Sequence, residues 1–239
     1  LAELRASVIP DPARRERFVR GLAADGLSII AECKRRSPSV GQLSAEVDLA
    51  ARAAAYAAGG AAALSVLTEQ DHFAGHPRDL DAVVGAGLPR LRKDFLLDEG
   101  MLLESLAMGA DCVLLLAVCL PDPLLGELRQ AAHEAGLAVL LEVHDEAELE
   151  RALAVNPDCL GVNARNLTTF EVDLANVERM LPMIPDGPLK VAESGIRGPA
   201  ELVRLQNAGA HAALVGEALM RSDSPAATLR EWRKELGHG

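Results

Sequence analysis

The sequence predicts an α/β fold, a (β/α)8 TIM barrel with a short N-terminal helical extension. Three observations carry that expectation. Eight short apolar runs recur along the 239 residues, with helix-like segments between them. Their centres lie roughly 21 to 36 residues apart, the length of one strand plus one returning helix. Three of the intervening segments close on a glycine turn just before the next run: "AGGAAAL" (58–64), "MGADCVL" (108–114) and "NAGAHAAL" (207–214). An open doubly wound sheet is the rival architecture. It would want a Gly-rich fingerprint after the first run, and there is none. No linker or low-complexity stretch interrupts the pattern, so residues 1–239 read as one domain, with 1–26 as the extension.

Taken in order, the extension comes first. Its run "RRERFVR" (14–20) reads as an amphipathic helix rather than a nucleic-acid patch, because the chain as a whole carries a net charge of −11. The eight runs then follow: "LSIIAEC" (27–33), "ALSVLTE" (63–69), "PRLRKDF" (89–95), "CVLLLAV" (112–118), "AVLLEVH" (138–144), "CLGVNAR" (159–165), "KVAESGI" (190–196) and "AALVGEA" (212–218). Between them, "LAARAAAYAAGG" (49–60) stops on a Gly pair, while "LLGELRQAAHEAGL" (124–137) and "PAELVRLQNAGA" (199–210) carry a single closing Gly. Apolar residues make up 49% of the chain but aromatics only 3%, so the core is aliphatic. That composition suits parallel strands covered by alanine-rich helices.

The same composition bounds the function. The acidic balance excludes a nucleic-acid surface, and no apolar run is long enough to span a bilayer. The four cysteines have no CxxC spacing, and three of them fall in strand-like runs; they read as reduced core residues of a cytoplasmic protein. No charged-then-apolar leader opens the chain, which starts on Leu1 and leaves room for residues upstream.

In a barrel the reactive groups sit where the strands end. Seven of the eight runs close on polar or charged residues: Glu32 with Lys34, Thr68 with Glu69, Lys93 with Asp94, Glu142 with His144, Asn163 with Arg165, Glu193 with Ser194, and Gly216 with Glu217. The fourth stays apolar. Residues two apart on a strand share a face, so Glu32 and Lys34 converge on one space, as do Asn163 and Arg165. Three carboxylates (Glu32, Glu142, Glu193) then face three cations (Lys34, Lys93, Arg165). Such groups are buried only when they pair with each other or with a ligand. Two lysines can hold an acidic group and protonate an oxygen while glutamates relay protons. Ser194, Gly195 and Gly216 fall at the seventh and eighth turns, where barrels bind phosphate on bare backbone N–H groups. His72 and His76 are four apart in a Gly-containing loop and do not read as a metal pair; no metal site is expected. His144 reads as a strand-end hydrogen-bonding residue.

At these positions the chain resembles a known family. "ExKxxSPS" at 32–39, "SVLTE" with its following Phe and Gly at 65–75, "LRKDF" at 91–95, "LEVH" at 141–144, "GVNARNL" at 161–167, "AESGI" at 192–196 and "LVGEALM" at 214–220 together look like indole-3-glycerol phosphate synthase. The likeness spans all eight beats in the family's order. It implies decarboxylating ring closure and dehydration of 1-(2-carboxyphenylamino)-1-deoxyribulose 5-phosphate to indole-3-glycerol phosphate, CO2 and water, in tryptophan biosynthesis. Carried over by motif, Lys93 is the general acid at the ribulose carbonyl. Lys34 holds the ring carboxylate or takes a proton-transfer role in dehydration, a division the sequence leaves open. Glu142 gives or accepts a proton in the later step, Glu32 orients the lysines, and Asn163 and Glu193 orient the sugar hydroxyls. Ser37, Arg165, Ser194, Gly195, Gly216 and Glu217 surround the phosphate.

The residues themselves fit that reading. Leu114 and Leu116 on the apolar fourth run, with Phe73 from the second loop, offer a wall for a benzoate ring. No cofactor is expected, because the substrate's own iminium accepts the electrons released with CO2. The expected partner is a small phosphorylated substrate, with transient contact to other tryptophan-pathway enzymes and neither nucleic acid nor membrane. Two departures from the family pattern stand out. The sixth beat has Ala164 where many members have Asn, on the face opposite Asn163. Only about 26 residues precede the first run, whereas the family's longer extension helps cover the substrate. The rivals are another phosphate-binding barrel, such as phosphoribosylanthranilate isomerase, and a non-catalytic phosphosugar-binding barrel.

Overall fold

The computed structural model describes residues 8–37, 41–42, 48–167 and 169–237. Eight parallel strands close on themselves in chain order: β1 (Ser28–Cys33), β2 (Ala63–Leu67), β3 (Arg90–Lys93), β4 (Cys112–Leu116), β5 (Ala138–Val143), β6 (Cys159–Asn163), β7 (Leu189–Glu193) and β8 (Ala212–Val215), with β8 pairing back to β1. The helices are α1 (Pro12–Leu22), α2 (Leu49–Gly59), α3 (Asp79–Ala82), α4 (Glu99–Ala107), α5 (Asp122–Glu134), α6 (Glu146–Ala154), α7 (Leu174–Met180), α8 (Pro199–Asn207), α9 (Glu217–Met220) and α10 (Pro225–Glu235). Among the described residues, no helix is long and apolar enough to cross a membrane.

All eight predicted runs are strands, but most stop two or three residues early. Glu32, Lys93, Glu142, Asn163 and Glu193 stay in the strands, while Lys34, Glu69, Asp94, Arg165, Ser194 and Glu217 lie beyond the strand ends at the mouth. Glu69 shows why: its carboxylate accepts the backbone N–H groups of Asp71, His72 and Phe73, so it builds the loop after β2 instead of extending the strand. Helix starts follow a common device. Asp11, Asp48, Asp98, Asp145 and Asp173 each accept a first-turn backbone N–H, which satisfies donors the helix itself leaves open.

Alternation along the strands divides the core in two. Outward residues such as Ala31, Val66, Val113, Leu141 and Val162 pack under the helices with Leu102, Leu125, Leu149 and Leu202. Ala164 joins this outer layer, on the face opposite Asn163 as its position in the run requires. Inward residues such as Ile30, Leu91, Leu140, Val191 and Leu214 fill the barrel. Phe18 and Leu22 of α1 belong to that inner cluster, fully buried against residues near the strand starts such as Ala63, Cys112, Ala138 and Cys159. α1 therefore plugs the N-terminal end of the barrel. The family likeness cast the extension as cover for a substrate, but α1 lies at the end away from the strand C-termini; residues 1–7 lie outside the described residues.

Ion pairs fasten the plug. Arg17 places Nη2 2.7 Å from both carboxylate oxygens of Asp111, which has no exposed surface and also accepts the Arg90 N–H. Arg15 Nε lies 2.7 Å from Asp158, whose other oxygen meets His133 Nε2 at 2.8 Å. Removing a partner from a buried charged hydrogen bond costs about 1.5–3 kcal/mol. Arg17→Met is accordingly expected to lower unfolding stability by that order in urea titration while leaving catalytic constants at the far end unchanged.

The closing helix α10 was not placed by the sequence. It packs on α2, where a Cβ at Gly59 would come within 2.8 Å of Leu229, so the glycine sets how closely the two helices approach. The motif after β1 forms a small hairpin, Arg36–Ser37 with Gly41–Gln42. Pro38 and Ser39 of that motif, and the Ser37 side chain, lie outside what the structure describes.

Candidate active site

The inward residues nearest the strand C-termini converge on a cavity of about 530 Å3 at the mouth. Of the residues singled out in the sequence, Glu32, Lys34, Phe73, Lys93, Leu114, Leu116, Glu142, Asn163, Arg165, Glu193, Ser194, Gly195, Gly216 and Glu217 all line it.

Lys34 leaves β1 and turns inward, its Nζ 2.5 Å from Glu32 Oε1. Its side chain is only 12% exposed, so it points into the site. Lys93, at the end of β3, reaches across the barrel: Nζ lies 2.6 Å from Glu193 Oε2 on β7 and 3.4 Å from Glu142 Oε2 on β5. The other Glu142 oxygen accepts from Asn163 Nδ2 at 2.8 Å, and Asn163 Oδ1 accepts the Arg165 backbone N–H. Glu32 was expected to orient both lysines. It holds Lys34 directly, whereas Lys93 is held by Glu193 and Glu142.

Burial sets the charges. It works to raise the Glu32 carboxyl, yet the ammonium groups of Lys34 and Lys93 bring it below its ordinary value. For Lys93, burial works to lower the pKa, and Glu193, Glu142 and Glu32 together hold it well above the usual lysine value. Lys93 is thus an ammonium at neutral pH. The two carboxyls against it part company. Burial pushes Glu193 up to about 8, and the nearby Glu142 carboxylate adds to that against the pull of Lys93. Glu142 falls well below the ordinary range: burial opposes ionisation, but Lys93, His144 and Asn163 outweigh it. The asymmetry follows from donors. Glu142 receives several, while Glu193 Oε1 has no hydrogen-bond partner among the described residues. One proton shared by two carboxyls belongs on the poorer-served one.

Two glycines make room for these acids, and the sequence reading missed the part they play. A Cβ at Gly161 on β6 would fall 2.1 Å from Glu193 Oε1, and one at Gly216 would fall 2.1 Å from Glu32 Oε1 and 2.8 Å from Lys34 Nζ. The signal for Gly161 was present in "GVN", a glycine inside a strand two residues before a functional one.

On one side, Phe73, Leu114 and Leu116 form the expected apolar wall, with Leu67 beside them. Opposite, Ser194 and Gly195 both take left-handed backbone angles, φ 67° and 75°. A Cβ at Gly195 would meet Val172 at 2.7 Å, so only glycine fits there. Arg165, Arg197 and Arg221 line the same cavity; the last two were not anticipated. Arg221 is held by Glu217, Nε to Oε1 at 3.2 Å. Glu217 therefore offers an anion only its backbone N–H, at the start of α9. Leu167, Phe170 and Val172, each 40% exposed or more, add an unforeseen apolar lip from the loop after β6.

This arrangement can protonate an oxygen, hold a carboxylate beside an apolar ring, and receive an anion at the seventh and eighth turns. The family model for "Indole-3-glycerol phosphate synthase" matches residues 1–232. The chain belongs to that family. A curated indole-3-glycerol phosphate synthase from Parafrankia sp. (strain EAN1pec) is 49% identical over 94% of this chain and 84% of its own length. "Indole-3-glycerol phosphate synthase 1" from Streptomyces coelicolor is 50% identical over 87% of this chain and 77% of its own. Among solved structures, 3-hexulose-6-phosphate synthase from Salmonella typhimurium superposes with a TM-score of 0.66 at 15% identity, covering 89% of this chain and 100% of that one. At that identity the likeness speaks for the barrel alone. As an indole-3-glycerol phosphate synthase family member, the chain is a carboxy-lyase of tryptophan biosynthesis. The isomerase rival falls with that assignment, and a binding-only barrel has no reason to keep Lys34, Lys93 and Glu142 together.

Proposed function

We propose that the barrel mouth converts 1-(2-carboxyphenylamino)-1-deoxyribulose 5-phosphate to indole-3-glycerol phosphate, with the proton traffic centred on Lys93. The observation that carries this is a charged, buried Lys93 ammonium 2.6 Å from Glu193 and within reach of Glu142. The substrate's ring carboxylate pairs with Lys34, its aryl ring rests on Phe73, Leu114 and Leu116, and its phosphate lies at Ser194, Gly195 and Gly216 with Arg165 and Arg197 around it. The ring carbon bearing the carboxylate attacks the ribulose carbonyl, and Lys93 gives that oxygen a proton. The aniline nitrogen becomes an iminium and takes back the electron pair when the C–CO2 bond breaks. Glu193, which holds a proton near neutral pH, restores Lys93 through their contact.

Dehydration follows. Lys34, freed when CO2 departs, protonates the leaving hydroxyl, and Glu142 takes the proton from the adjacent carbon. Two protons are given and one is returned, so each turnover takes up one proton for each carboxylate lost. Asn163 and Glu193 orient the sugar hydroxyls, and Glu32 keeps Lys34 in place.

Residues 1–239 act on this reading as one catalytic domain. The four free cysteines fit a cytoplasmic setting, and the open mouth suits transient contact with other tryptophan-pathway enzymes. The test is incubation of the purified protein with the carboxyphenylamino-deoxyribulose phosphate while following indole fluorescence. The expected result is a rising signal. A folded protein that binds the substrate without producing indole would turn the reading to a binding barrel.

A further inference from the structure

Just behind the mouth, against Glu142, sits a titratable side chain that the steps above do not use. His144 follows β5 directly and lies beside Glu142, with its ring between two carboxylates. Nδ1 lies 3.0 Å from Glu148 Oε2 on α6, and the same oxygen accepts the His144 backbone N–H at 2.8 Å. Nε2 has no hydrogen bond among the described residues but lies 3.3 Å from Glu142 Oε1, the oxygen that accepts from Asn163, at ion-pair distance. From α7, Asn176 Nδ2 donates to the His144 carbonyl at 3.0 Å. Backbone and ring are both fixed.

A neutral imidazole carries a single N–H, so between two carboxylates one ring lone pair would face an anion. Only the imidazolium serves both neighbours. The charged and titratable groups around the ring are Glu142 on its own strand, Glu148 on α6, the Cys119 thiol after β4, which faces the same two carboxylates, and, beyond Glu142, Lys93 on β3. Burial opposes the charge on the ring, but Glu142 and Glu148 together push His144 up to about 10.

We infer that His144, held as an imidazolium by Glu148, is a positioning residue that keeps Glu142 ionised and turned toward Lys93. The inference rests on the proposed indole-forming reading. Without the imidazolium, Glu142 and Glu193 would compete for the same proton on more equal terms. With it, the resident proton stays on Glu193 beside Lys93, and Glu142 is free to accept one later.

The test uses His144→Gln, similar in size but uncharged, and Glu148→Gln, with kcat and KM followed from about pH 6 to pH 10 and the His144 ring read by 15N NMR. In the wild type the ring is expected to stay doubly protonated through neutral pH. His144→Gln should lower kcat about tenfold with KM within about twofold across this range, since Glu142 itself titrates well below it. Glu148→Gln should hold its activity at acid pH and lose it as pH rises and the ring, missing its anion, deprotonates. If His144→Gln fails to fold, Glu148→Gln and the ring titration carry the test. A ring that titrates in the wild type like a free histidine would overturn the inference, as would a His144→Gln profile superimposable on the wild type's. Absence of indole formation in the wild type is a different failure; it would sink the proposed function, while the ring signals would still report whether the clamp exists.

Discussion

Lys93→Ala is expected to slow indole formation by roughly 10²–10⁴-fold, the usual loss when a positioned general acid is removed. The loss should appear in kcat, because the aryl wall and the phosphate turns do not involve Lys93. Steady-state fluorescence assays beside the wild type decide it; a variant within a few-fold of wild type would remove Lys93 from the mechanism. A second consequence concerns stability. Lys93 is the ammonium that meets Glu193 and Glu142, and it also lies within electrostatic reach of Glu32. Without it, buried carboxyls fold with pKa values raised above their free values. Groups raised in this way are stable while protonated, so the variant should lose stability as pH rises through the neutral range, relative to its value at about pH 5. Lys93→Arg separates the two effects. A guanidinium keeps the charge but is larger and a weaker acid than the ammonium, so that variant should stay folded yet remain slow.

Gly216→Ala is expected to lower kcat/KM by about 10²-fold, the order seen when a reacting group is misplaced by about an ångström. The added methyl would lie 2.1 Å from Glu32 Oε1 and 2.8 Å from Lys34 Nζ. The ion pair between them would have to move, and with it the ammonium that holds the ring carboxylate. The effect should fall mainly on KM for the intact substrate and much less on binding of inorganic phosphate, which does not call on Lys34. Equal losses for both would place the damage in the phosphate turn instead.

Much of this was legible in the chain. The strands announced themselves because parallel strands are buried on both faces and read as unbroken apolar runs, and "LSIIAEC" and "CVLLLAV" are typical. Glu32, Lys93, Glu142 and Glu193 stood out because each charge closes such a run. Harder to see was who meets whom. Lys93 and Glu193 are 100 residues apart, and only barrel closure brings β3 and β7 to face each other. The work of Gly161 and Gly216 is also spatial, since each is defined by the side chain of a neighbouring strand. The lip of Leu167, Phe170 and Val172 escaped notice because its loop follows no period, with Phe170 itself at φ 59°. The place of α1 was hidden for a further reason. An amphipathic pattern reveals that a helix has an apolar face, but not which end of a barrel that face will seal.

That seal has a consequence for traffic. With Phe18 and Leu22 stopping the bottom of the barrel, the interior formed by the described residues is like a vessel with its base sealed, open at the mouth. Substrate enters by it, and carbon dioxide, water and the indole product all leave by it. On the proposed reading, the small molecules slip out past an occupant still anchored by its phosphate, and the next substrate waits until that occupant has gone.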